Sequence, residues 1–254
     1  MTLLDYVFMG TLAFALELID AAFGMGYGTI LTPALLVLGF DVLQVVPAVI
    51  ASQLAGDFLA VFFHHQFNNV NMSIGSKDFK VGSALAVFGL LGSVVAVLFA
   101  LKISKFALNL YIGTLVTVVG IVVLVTHEKA RDFSWLRLLF LGSIASFNKG
   151  LSGGGYGPIV TGGQILTGVD ARAAIGITSL AEGVTCIAAL LTYLLSGKPI
   201  DWLLAIALAI GVACSTPLAA LIVQKLESKY LKLIIGGMTI VLGTLTVFKT
   251  VRIL

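Results

Sequence analysis

An 18-residue stretch occurs twice in this chain, 129 residues apart, and each copy plants helix-breaking glycines inside an otherwise apolar segment. Gly24–Asp41 reads GMGYGTILTPALLVLGFD, and Gly153–Asp170 reads GGGYGPIVTGGQILTGVD. Eight of the 18 aligned positions are identical: Gly24, Gly26, Tyr27, Gly28, Ile30, Thr32, Gly39 and Asp41 match Gly153, Gly155, Tyr156, Gly157, Ile159, Thr161, Gly168 and Asp170. Chance would supply roughly one or two such matches, so the chain carries an internal duplication. Paired interruptions of hydrophobic segments in the two halves of a chain point to a transporter's substrate site.

The composition puts that duplication in a membrane. The chain is 59% hydrophobic and 11% charged, with a mean hydropathy of +1.11, whereas a soluble domain carries about 25% charge. The expected fold is an all-α polytopic membrane protein. The N-terminus has no basic residue ahead of its apolar run and no cleavage site, so it reads as a first membrane segment and not a signal peptide. A net charge of +3 gives no reason to expect nucleic acid. Cys186 and Cys214 lie in apolar stretches, where packing is the expected role, and neither a disulfide nor a metal site is indicated.

Ten apolar segments follow: Leu3–Phe23, Gly28–Phe40, Val42–Phe63, Val81–Leu101, Phe106–Val125, Trp135–Leu151, Gly157–Gly168, Ala171–Leu195, Trp202–Val223 and Tyr230–Phe248. Most reach the ~20 residues that span a hydrocarbon core. The second and seventh have about 20 Å of helix and directly follow the glycine clusters. Residues 1–126 form an N-terminal repeat and 134–254 a C-terminal one, together one membrane domain. If each motif reverses the chain, each half has five elements and the second half is inverted. If each motif only kinks a helix, each half has four and the repeats are parallel. The first topology puts nine basic residues on one side (Lys77, Lys80, Lys129, Arg131, Arg137, Arg172, Lys225, Lys229 and Lys232) and five on the other (Lys102, Lys105, Lys198, Lys249 and Arg252); the second splits them eight to six. The larger asymmetry favours inverted five-element repeats with both termini outside the cytoplasm.

Glu17, Asp20, Asp57, Lys149 and Glu182 fall inside apolar segments, where each charge costs roughly 2.5–3.5 kcal/mol. They must pair, be neutralised or face a cavity. The repeat offset puts Asp20 opposite Lys149 and Gln53 opposite Glu182. Asp20 and Lys149 form an ion pair, or Lys149 is free for an anion. Glu17 shares a helix face with Asp20, and Asp57 with Gln53. Glu182, Asp20, Asp57 and Glu17 are the proton-coupling candidates.

A broken helix exposes backbone N–H groups, and a following helix N-terminus attracts negative charge. The segments opening near Gly28 and Gly157 would aim two such ends at one small oxyanion. Gly24, Gly26, Gly28, Gly153, Gly154, Gly155 and Gly157 would bring backbone close to it. Tyr27, Tyr156, Asn148, Ser152, Gln53, Thr32, Thr161 and Gln164 would add hydrogen bonds, and Lys149 a formal charge. Plainer roles stay open: close helix packing for the glycines, interfacial anchoring for the tyrosines and for His64 and His65, and helix capping for Asp41 and Asp170.

The residues GLSGGGYGPIV at Gly150–Val160 and AAFGMGYGTILTPALL at Ala21–Leu36 resemble the TauE/SafE sulfite-exporter family, over essentially the whole chain. That resemblance implies a carrier of small sulfur-containing anions, such as sulfite or organosulfonates, exporting them across a bacterial-type inner membrane. The sequence departs from the family pattern at Met25, at Gly162 opposite Pro33, and at Tyr27 and Tyr156, changes that alter the shape and hydrogen bonding of the site. The expected function is secondary transport with the proton as the candidate coupling ion, and with the lipid bilayer and the anion as partners. A proton- or cation-coupled carrier of another small solute and a passive anion channel are the alternatives. No nucleotide-binding motif or other cofactor signature appears, HExxH and GxSxG are missing, and His127 stands apart from the buried acids, so an enzyme is not expected. The oligomeric state stays open, a homodimer included.

Overall fold

The computed structural model describes residues 3–37, 42–100, 105–126, 132–152, 156–195 and 200–252. Among them are ten helices and no strand: α1 (Leu3–Phe23), α2 (Tyr27–Val37), α3 (Val42–Gln66), α4 (Lys77–Ala100), α5 (Lys105–Val125), α6 (Trp135–Ser152), α7 (Tyr156–Leu166), α8 (Ala171–Leu195), α9 (Trp202–Lys225) and α10 (Ser228–Arg252). Each corresponds to one apolar segment of the sequence. Among the described residues five helices are long and apolar enough to cross a membrane: α1, α8, α9, and most of α3 and α10. The duplicated motifs give the short pair, α2 and α7, of 11 residues each.

Which way the chain turns at the motifs follows from what meets at one end. The Gln224 side-chain amide donates to the Phe67 carbonyl at 3.1 Å, and the Ser134 N–H to the Thr167 carbonyl at 3.1 Å. Arg172 donates twice to the Leu226 carbonyl, at 2.7 and 3.1 Å. The α3–α4 loop, the start of α6, the α7–α8 turn and the α9–α10 turn therefore share one end. With the start of α6 and the end of α7 at the same end, a kinked α6–α7 rod is excluded and the chain reverses at the second motif. Lys77, Lys80, Arg137, Arg172, Lys225, Lys229 and Lys232 belong to this end.

The halves interlock through equivalent elements. Helices α5 and α10 are the fifth and tenth elements, the last of each half. Gly113 packs against Gly243, and Gly120 against Gly236. Ascending α5 thus descends α10, so the two equivalent helices are antiparallel. The same holds for α3 and α8: Gly183 lies against Asp57 and Gly176 against His64 and Val70. Likewise α1 packs on α9 as α6 packs on α4. Antiparallel crossings of this kind are the geometry that inverted repeats would produce. At the α5–α10 crossing a Cβ on Gly113, Gly120 or Gly243 would strike the facing backbone, whereas at the α3–α8 crossing Gly176 and Gly183 make room for the side chains of Val70, His64 and Asp57.

Candidate functional site

Helix α1 stops at Phe23 because Gly24 takes φ +73° and Gly26 φ +130°, backbone that side chains disfavour. The Gly24 N–H still closes on the Asp20 carbonyl, and Ile30 N–H donates to Gly26 as α2 begins. The N–H of Tyr27, first residue of α2, donates to Asp20 Oδ1 at 3.1 Å. A carboxylate of the chain itself therefore occupies part of the positive helix end that the sequence offers to an anion.

The second motif closes against the first. Gly157, in the first turn of α7, lies directly on Gly24 and Met25, and Thr161 donates its hydroxyl to the Gly24 carbonyl at 3.0 Å. Eleven residues of α7 rise about 16 Å, roughly half a hydrocarbon core. Since α7 ends where Thr167 meets Ser134, its start lies about half a bilayer from the basic end. The two discontinuities meet near mid-depth.

Beside this junction the fold assembles acids from three helices. Carboxylate oxygens of Asp20 (α1), Asp57 (α3) and Glu182 (α8) lie within 4.8 Å of one another. Asp20 and Asp57 are buried and Glu182 is half-buried. Glu17, one turn before Asp20, is 2% exposed, with Oε1 against Gly56, and its Oε2 has no hydrogen-bond partner among the described residues. Two unit charges 4.8 Å apart repel by roughly 3.5 kcal/mol at an effective dielectric of ~20. The cluster therefore requires positive charge among its members, whether a proton, a cation or an ammonium group.

The tyrosines are not interfacial. Tyr27 is fully buried and Tyr156 is 2% exposed. The Tyr27 hydroxyl shares a 2.7 Å hydrogen bond with Ser52, which itself donates to the Val49 carbonyl. Gln53 is buried with Oε1 facing Gly28. Of Thr161 and Gln164, read from sequence as ligands, the Gln164 amide nitrogen donates to Thr178 at 2.8 Å and to the Ala174 carbonyl at 3.2 Å, and Thr178 sits 3.0 Å from Thr161, while Gln164 Oε1 is buried with no hydrogen-bond partner among the described residues. Asp170 is the cap expected, accepting from Arg172 N–H at 2.9 Å. Asn148, Lys149 and Ser152 fall in the last turns of α6, but their side chains lie outside the described part, as do Gly153, Gly154, Gly155 and Asp41 entirely.

One residue corrects its sequence reading. His64 is fully buried, not interfacial. Its Nε2 lies 2.8 Å from the Ala21 carbonyl and must donate, so Nδ1 accepts from the Asn69 amide at 3.1 Å. Asn69 donates also to the Ala220 carbonyl. His64 thus ties the last turn of α1, just before its break, to α3 and α9. The available signal was the break itself, which leaves terminal carbonyls of α1 without helical partners. Nearby, at the basic end, a polar cavity of about 590 Å³ is lined by His65, Asn69, Lys77, Asp78 and Asp170 among others.

Comparison with known proteins adds a family. The sequence profile described as "Sulfite exporter TauE/SafE" matches residues 9–246. The probable membrane transporter protein YtnM of Bacillus subtilis (strain 168) is 25% identical over 258 residues, covering 96% of this chain and 82% of the relative. No solved structure matches.

Proposed function

Because the chain belongs to the sulfite exporter TauE/SafE family of membrane transporters, we propose that it is a secondary carrier exporting a small sulfur-containing anion, sulfite or an organosulfonate, across a bacterial-type inner membrane. The observation that carries this reading is the contact between the two broken-helix motifs near mid-depth, Gly157 on Gly24. Each motif starts a half-helix there, and each half-helix belongs to a different repeat, 1–126 or 134–254. Rocking one repeat against the other would open the junction first to one side and then to the other. The basic end is cytoplasmic in this reading, which leaves both termini outside the cytoplasm. The polar cavity at that end is then the cytoplasmic entrance.

Lys149 and the glycine-flanked helix ends hold the anion. Tyr156, Asn148, Ser152 and Gln53 orient it. Negative charge is costly beside four carboxylates, so the anion does not travel without positive charge. Glu182, Asp20, Asp57 and Glu17 couple its movement to an ion, the proton being the simplest. The test is flux into liposomes. Sulfite or sulfoacetate should move electroneutrally or with a net proton, and a pH gradient should drive it. Lys149→Ala should abolish anion binding in a thermal-shift screen against sulfite, thiosulfate, sulfoacetate, taurine and sulfate. Wild-type affinity in that variant removes Lys149 from the site. The carboxylate cluster favours one rival, a carrier of a cationic or neutral solute; the charge of the transported species separates the two.

A further inference from the structure

We propose that Asp20, Asp57 and Glu182, backed by Glu17, bind one hard, oxygen-seeking cation of the sodium or calcium class at the crossing of the two halves. The proposal rests on the reading of the chain as an ion-coupled carrier and gives the coupling ion a coordination site in place of a proton relay.

Three features carry it. The first is span. Hard cations of this size take oxygen ligands at about 2.3–2.6 Å, so ligands on opposite sides of one ion stand about 4.6–5.2 Å apart. Three oxygens evenly placed around one ion stand up to about 4.5 Å apart, so the three carboxylates, within 4.8 Å of one another, reach a common ion with movements of a few tenths of an ångström at most. The second is donor type. Among the described residues the group consists of carboxylates alone. The neighbouring Cys186 thiol, 3.8 Å from Asp57 Oδ2, is turned to that oxygen as a weak donor, and His64 is committed to Ala21 and Asn69. All-oxygen sites select hard cations over zinc or copper. The third is Glu17. It is 2% exposed, its carboxylate lies against Gly56, the residue before Asp57, and its Oε2 has no hydrogen-bond partner among the described residues. A buried carboxylate oxygen left without a donor calls for a positive guest close by.

The site has a consequence for coupling. Asp20 belongs to the cluster and also accepts from the Tyr27 N–H at the start of α2. A cation drawing on Asp20 weakens that hold and frees the helix end for an anion. Asp20 and Asp57 come from one half and Glu182 from the other, so the ion also bridges the repeats that must move.

The experiment uses the full chain in detergent. Thermal unfolding is followed while NaCl replaces choline chloride at constant ionic strength, and separately with CaCl₂ against a chelator in choline buffer. One of the two ions should stabilise the protein saturably, as binding to the folded state requires. Asp57→Asn and Glu182→Gln should raise the half-saturating concentration tenfold or more. Glu17→Gln, nearly isosteric, keeps the test alive if the other variants do not fold, and should raise it too. No saturable shift with either ion in the wild type overturns the proposal, as does a shift that all three variants leave unchanged. A shift that emerges only in Lys149→Met also overturns it and makes the lysine the resident charge. Sulfite flux driven by a pH gradient, with no response to sodium or calcium, overturns the cation site but leaves the carrier reading intact. Ion-dependent stabilisation without flux of either sulfite or sulfoacetate supports the site and removes the anion reading.

Discussion

The two copies of the glycine motif build the same backbone and furnish it differently. Both stop a long helix and start an 11-residue one. Yet Asp20 stands where the second copy has Lys149, Ser52 where it has Ala181, Gln53 where it has Glu182, and Asp57 where it has Cys186. In return, Gln164 and Thr178 replace Leu35 and Val49. The first half supplies three of the four clustered acids, and the second supplies a hydroxyl–amide network that holds its half-helix in place. Burial follows the same division: α7 is buried from Tyr156 through Ile165, whereas α2 exposes Ile30. Duplication fixes where the chain breaks. Divergence after it decides which break anchors and which carries charge.

The sharpest way to break this comparison is at equivalent glycines. A Cβ on Gly157 would strike the backbone of Gly24 and Met25, which cannot step aside, whereas one on Gly28 would meet only the end of the Gln53 side chain. Gly157→Ala should cost about 3 kcal/mol or more and leave little folded protein; Gly28→Ala should remain folded. Size-exclusion profiles and thermal unfolding decide it, and equal tolerance at both positions would dissolve the distinction between anchor and carrier.

Next comes the pair Asp57 and Cys186, equivalent residues that meet across the crossing of α3 and α8. Asp57→Asn should lower coupled flux by about 100-fold, the upper range of coupling free energies. Cys186→Ala removes only a weak thiol donor and should stay within about twofold. Parity between these variants in a liposome assay would argue that charge is not divided between the halves as proposed.

How far the sequence carries is visible in where it stops. Segment limits were legible where a strong local signal ends a helix: Leu3–Phe23 before the positive-φ glycines and Ala171–Leu195 after the Asp170 cap agree with the helices formed. They fell short where tertiary contact extends a helix, as in α3, which runs through His64 to Gln66 because His64 turns inward to Ala21. The repeat offset suggested the pairs Asp20–Lys149 and Gln53–Glu182, but the carboxylate cluster joins residues that are not equivalents. Only the antiparallel crossing of α3 and α8 brings Asp57 to Glu182, and no periodicity encodes that crossing. Thr161 and Gln164 read as ligands because polar groups in apolar helices need partners; for the Thr161 hydroxyl and the Gln164 amide nitrogen the partners within the protein are Gly24, Thr178 and Ala174.

That network offers a milder test. Gln164→Leu gives the second copy the residue of the first and removes two hydrogen bonds of the buried amide. It should cost about 1–2 kcal/mol of stability, read as a lower melting temperature, while the substrate concentration for half-maximal flux stays unchanged. A shift in that concentration without loss of stability would move Gln164 from scaffold to site.

The smallest expected effect concerns the bond between Tyr27 and Ser52 in the first copy. Tyr27 and Ser52 share a buried 2.7 Å hydrogen bond, whereas Tyr156 has Ala181 at the corresponding position. Tyr27→Phe and Ser52→Ala should each cost about 1 kcal/mol. Ser52 keeps its bond to the Val49 carbonyl when the tyrosine loses its hydroxyl, so Tyr27→Phe strands no donor and should be the gentler change. Because both variants cut one interaction, the double variant should fall short of their sum by about 1 kcal/mol. Strict additivity in thermal unfolding would mean that the hydroxyl of Tyr27 spends its time on something other than Ser52, such as the guest between the two half-helices, and the two copies would then resemble each other more closely than their sequences do.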